Sequence, residues 1–144
     1  MSLPSLSKPV ESAGVARRMA KASALGHALW AATGLVQAVV ATRVLATPAA
    51  ANDPAVGFAV LTAFMAAGLA ALQWTRPNRI APIFGLAWMA YELSASGVSL
   101  LLGQPVGTLA LPTWAGAGVV AMAVLCLVLH VVGLRGAAAK PLQS

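Results

Sequence analysis

The sequence predicts an all-α membrane protein: four transmembrane helices in an up-down antiparallel bundle, with both termini cytoplasmic. Three observations predict it. Sixty per cent of the residues are hydrophobic and only eight per cent are charged, against about 25% charged in a globular domain. Four apolar stretches each approach the ~20 residues that cross ~30 Å of hydrocarbon as helix. Eight of the nine bases fall on one side of the membrane if all four stretches cross it. The alternating ~10-residue segments of an outer-membrane barrel are missing, and helices are the other way to satisfy a backbone in lipid.

Residues 1–21 read as a polar, basic cytoplasmic tail holding Lys8, Arg17, Arg18 and Lys21. The transmembrane domain follows over 22–135. Span one covers about 22–45 and is longer than the apolar core of a secretory signal, so it is expected to stay as a signal-anchor. Thr47-Pro48 through Asn52-Asp53-Pro54 is a turn-rich connector, and span two covers 54–75. Thr75-Arg76-Pro77-Asn78-Arg79 is a tight charged turn into span three, 80–102, where Pro82 sits in the first turn and its missing N–H does no harm. A Gly/Pro loop from Gly103 to Pro112 leads to span four, 113–134, and 136–144 form a second cytoplasmic tail. Short connectors favour antiparallel packing of consecutive helices. Only Arg43 falls on the far side, and positive residues stay inside, so the charges set the orientation. The expected location is a bacterial-type inner membrane.

Several functions are excluded by what the chain lacks. Its net charge of +6 is spread beside apolar segments and not gathered into an aromatic-interleaved patch, which argues against nucleic acid. Cys126 is the one cysteine, so there is no disulfide framework or cysteine metal motif. No phosphate loop, dinucleotide fingerprint or nucleophile elbow is present. Glu11, Asp53 and Glu92 are too scattered for paired acid–base work, so the chain is not expected to be an enzyme.

Glu92 is the leading candidate. A charge in mid-membrane costs about 2.5–3.5 kcal/mol on insertion scales and persists where something uses or satisfies it. Gly85, Trp88, Glu92, Ser96, Ser99 and Gly103 recur at helical spacing and share one face of span three. Glu92 lies ~18 Å and Gln37 ~21 Å from the cytoplasmic end at 1.5 Å per residue, so the two are matched in depth. A carboxyl bonded to Gln37 would pin helix packing; the same group in a cavity would bind a proton or cation.

His27 and His130 form a second constellation. Early in span one and late in span four, they sit at one level on antiparallel helices, with Ser23 and Cys126 four residues before them. Such a pair suits axial ligation of haem b, or each ring a chlorophyll-type pigment; interfacial histidines that reach headgroups or water are the plainer reading, and no cofactor is expected. The lipid bilayer and other membrane subunits are the expected partners, with a homo-oligomer as a further possibility. The function expected is an accessory or stabilising subunit of a larger membrane assembly, because short loops leave lateral helix faces as the main free surface. The alternative is a small oligomeric proton- or cation-coupled transporter working through Glu92.

Overall fold

A computed structural model describes residues 12–46 and 53–139, so Lys8, Glu11, Lys140 and most of the first connector lie outside the described residues. Helix α1 spans Ala13–Val39 and continues into a π-helical turn, Val40–Val44; α2 spans Asp53–Thr75, α3 Ile80–Leu101 and α4 Thr113–Ala138. Three helices are long and apolar enough to cross a membrane: Ala13–Val44, Pro54–Thr75 and Thr113–Ala138. Helix α3 has comparable length, but Pro82, Glu92, Ser94, Ser96 and Ser99 dilute its apolar content.

Two helices outrun their apolar stretches. Helix α1 starts at Ala13, well inside the expected tail, where the Ser12 hydroxyl accepts from the Val15 N–H at 3.3 Å and caps it. The reason for the extension is packing. A Cβ on Gly136 would lie 2.3 Å from the Ala20 nitrogen and 2.6 Å from the Ala16 carbonyl oxygen, so the two backbones touch there. Helix α4 accordingly runs on to Ala138, and Arg79 donates from Nε to the Ala137 carbonyl at 3.2 Å and from its guanidinium to that of Ala138 at 3.4 Å. These bonds cap the helix and complement its dipole.

The helices pack in the order α2, α1, α4, α3. This corrects the expectation that all consecutive helices pack together, because α2 and α3 barely meet. Residue size explains it. At the α1–α4 seam a Cβ on Gly133 would fall 2.4 Å from that of Ser23, and at α3–α4 a Cβ on Gly85 would fall 2.4 Å from the His130 ring. Small residues let these backbones approach. Between α2 and α3 stand Met65, Leu69, Phe84 and Trp88, which hold the helices apart.

The α2–α3 turn is tied down from within. Gln73 is fully buried and donates to the carbonyls of Ala20 (3.0 Å) and Asn78 (3.2 Å), while its own oxygen accepts from the Asn78 N–H at 3.1 Å. The Asn78 side chain accepts from Ile80 and Ala81 N–H and so starts α3. Lys21, Arg76 and Arg79 gather at this end, with the Lys21 ammonium 4.4 Å above the Trp74 ring.

At the other end the Gly/Pro loop folds back into the bundle. Val106 and Leu111 form an antiparallel bridge, and Val106, Leu109 and Leu111 are buried. Gly107 takes φ +71°, a left-handed turn conformation that glycine adopts without strain. Gly116 makes room for the plug, since a Cβ there would lie 2.4 Å from Val106 Cγ2.

The seam yields a test with opposite expectations. Gly133→Ala should destabilise the bundle by about 1–3 kcal/mol, because the added methyl meets Ser23 backbone that cannot yield. Gly97→Ala, with open space around its Cβ, should be neutral or stabilising by up to about 1 kcal/mol. Thermal unfolding in detergent, followed by circular dichroism, separates the two; equal losses would show that the seam is not closely packed.

Candidate functional site

Because α2 and α3 stand apart, a cleft of about 410 Å³ opens between them, with α1 as its floor. Helix α1 contributes Trp30, Gly34 and Gln37, α2 contributes Phe58, Ala59 and Thr62, and α3 contributes Trp88, Tyr91, Glu92, Ser96 and Ser99. The floor is low at Gly34, where an added Cβ would lie 3.3 Å from that of Ala63. Gly107 and Thr108 of the plug loop close one end. At the other, the cleft tapers past Trp30, Thr62 and Trp88 to a void of about 20 Å³ reaching Gly85 and His27.

All five polar-face residues read from the sequence, Glu92, Gln37, Ser96, Ser99 and Trp88, line this one cleft. The helical repeat on α3 places its residues on one face, and the antiparallel path of α1 brings Gln37 to the same level. The hydrogen bond expected between Gln37 and Glu92 is absent among the described residues. The Glu92 carboxylate instead accepts from the Ser96 hydroxyl one turn on in its own helix. Ser99 donates to the Ala95 carbonyl at 3.1 Å. Helix α3 leans on α4, so the cleft separates the two groups that depth alone had paired. Glu92 is half-buried, with Trp88 half-buried beside it and Tyr91 exposed. An acceptor carboxylate, an amide and several aromatic faces thus share one cavity open to the side of the bundle.

His27 and His130 do meet, with ring centroids 4.4 Å apart and planes inclined by 54°. Both are buried at the α1–α3–α4 junction. His27 Nε2 bonds the Ala81 carbonyl at 3.1 Å, and His130 Nδ1 bonds the Ser23 hydroxyl at 2.8 Å. Cys126 adds a thiol donated to the Gly26 carbonyl at 3.3 Å. The residues do not fit a haem: the rings touch each other, Gly26 and Gly85 pack on His130, and no slot is left for a macrocycle. Nor does either ring face lipid, as an axial pigment ligand would. Among the described residues, His130 Nε2 is the buried side-chain polar atom left without a hydrogen-bond partner. Among the described residues no three His, Cys, Asp or Glu side chains come together to hold a metal ion.

Sequence reasoning missed Gln73, whose only signal was an amide four residues before a Pro-Asn turn. It also missed Met89, fully buried on the Glu92 face of α3, and the plug residues Val106, Leu109 and Leu111, whose apolar alternation hid inside a glycine- and proline-rich loop.

Comparison with known proteins is silent on this chain: no family model, no curated protein and no solved structure matches it.

The histidine junction makes two predictions. Ser23→Ala should cost about 1–3 kcal/mol by leaving His130 Nδ1 unpaired in the core, read as a loss of thermal stability. Protein purified from haem-sufficient cells should show no Soret band; a band lost in both His27→Ala and His130→Ala would overturn the packing argument.

Proposed function

We propose that this is a four-span inner-membrane protein with cytoplasmic termini that works as a small carrier, binding a cationic or protonated amphiphile in the Glu92 cleft. The observation that carries the reading is the half-buried carboxylate in an aromatic-lined cavity of about 410 Å³. That volume lies in the range of small-molecule sites, which are mostly apolar with a few convergent polar groups. Trp30, Trp88 and Tyr91 offer π faces to a cation, and the carboxylate supplies the charge that lipid cannot. The Gln37 amide is positioned to fix orientation.

Two features support α3 as the fourth span. It tracks α4 from Arg79 at Ala137 to Gly85 at His130, so it follows that helix into the bilayer. Its face toward lipid is apolar, with Ile83, Val98 and Leu101 exposed. The clustering of Lys21, Arg76 and Arg79 at one end supports the cytoplasmic assignment of that end. A second reading, an accessory subunit, is favoured by the lateral opening between α2 and α3, which would seat a helix of another protein.

Reporter fusions at residues 50 and 107 should both read outside; a cytoplasmic signal at either would overturn the topology. In proteoliposomes, wild-type protein should drive pH-dependent uptake of tetraphenylphosphonium, and Glu92→Gln should abolish it while leaving the fold intact. Uptake unchanged in Glu92→Gln would remove the carrier reading. Copurification of another polypeptide, lost in Glu92→Leu, would put the subunit reading in its place.

A further inference from the structure

A second, separate groove lies between α1 and α2 near the basic end, on the side of α1 away from α4. Its volume is about 350 Å³, and its lining is nearly all apolar: Ala24, Leu25 and Ala28 of α1 against Ala70, Ala71 and Trp74 of α2. Alanines at four of these positions leave a channel that larger side chains would fill. The channel runs along the helices and therefore along the direction of lipid acyl chains.

Its cytoplasmic mouth is basic. Lys21 stands one turn before Leu25 on the same face of α1, and Arg17 one turn before Lys21. Arg76 follows the Thr75 that ends the α2 wall. The Lys21 ammonium rests 4.4 Å over the Trp74 ring, which holds the charge at the rim of the groove. Arg17 and Arg76 are exposed. Among the described residues no acidic side chain lies at this end: Glu92 is halfway along α3, and Asp53 begins α2 at the opposite end. Cations are thus gathered above an apolar channel with no carboxylate among the described residues to neutralise them.

We infer that this groove binds an anionic phospholipid, its phosphate between Lys21, Arg17 and Arg76 and one acyl chain along the alanine channel. The match is one of charge and of shape. A headgroup phosphate answers the unbalanced bases, and basic pockets between helices at the cytoplasmic face recognise such lipids. The alkyl chain covers a surface of alanine, leucine and indole, where the one hydroxyl, that of Thr75, is already bonded to its own helix backbone. A zwitterionic lipid satisfies the channel but brings a cation to the bases. The site does not depend on the Glu92 cleft, which opens on the other side of α2.

Native mass spectrometry of the full-length protein tests this, with phosphatidylglycerol and phosphatidylcholine of matched chains. One phosphatidylglycerol should be retained in preference. Lys21→Ala and Arg17→Ala should each weaken retention about fivefold, the value of one base near a membrane surface. Ala71→Phe, which fills the channel and leaves every base in place, should weaken it too, with helix content unchanged by circular dichroism. Arg17 is exposed, so Arg17→Ala keeps the test open if Lys21→Ala fails to fold. Equal retention of phosphatidylcholine would overturn the proposal, as would retention indifferent to both base variants. Displacement of the lipid by millimolar inorganic phosphate, with Ala71→Phe silent, would show an anion site without a lipid channel and equally overturn it.

Discussion

Backbone contact between α1 and α4 is the constraint on which the remaining structure depends. Gly133 and Gly136 allow α4 to lie directly on Ser23 and Ala20, closer than any side chain beyond hydrogen would permit. In lipid there is no hydrophobic force to drive helices together, so such close approach supplies much of the association energy through dispersion and short polar contacts. The two helices form a spine. His130 is fixed at its centre by Ser23, Gly26 and Gly85, and α3 is placed by fitting its Gly85 against that ring. Helix α2 joins the opposite flank of α1. The Glu92 cleft is what remains when two helices are assigned to different flanks of one spine.

The same arrangement explains why polar groups are unevenly distributed. Ser23, His27, Gln73 and His130 are all buried with at least one partner each, and all lie toward the basic end. They bond carbonyls and a hydroxyl across helices, which fixes register. Toward the plug, the polar groups face the cleft, and hydroxyls such as Ser94 and Ser99 return to their own backbone one turn back. One half of the molecule is therefore cross-linked by hydrogen bonds between helices. The other half is held by apolar packing around Leu109 and Leu111, with Val106 seated against Gly116.

Much of this was legible in the sequence, for reasons that are physical. The α3 polar face followed from a helical repeat of Gly85, Trp88, Glu92, Ser96 and Ser99, and depth counting brought Gln37 to the same cleft. Counting from the basic end also put His27 and His130 at one level, and the structure adds that their rings touch. What depth cannot supply is azimuth. Two residues at one level touch only if their helices are neighbours, and neighbour choice was decided by the sizes of residues at Gly85, Gly133, Phe84 and Trp88 acting in three dimensions. That is why the histidine pair closed while Gln37 and Glu92 did not. Charge marked Arg17 and Arg18 as part of a polar tail, and the helix nonetheless begins ahead of them, because Ala16 just before and Ala20 just after are buried in the seam.

The Gln73–Asn78 bonds have a mechanical meaning. They fasten the end of α2 to the start of α3 and to Ala20 of α1, so these helices share a pivot at the basic end. Helices joined at one end part like the arms of tweezers, with displacement growing linearly with distance from the joint. A small rotation there widens the gap little at Leu69 and Phe84 and several times more at Phe58 and Ser99. The narrow void beside His27 is consequently the root of the cleft, and the aperture around Glu92 lies far out along its arms, where the Gly34–Ala63 contact and the plug loop set its width.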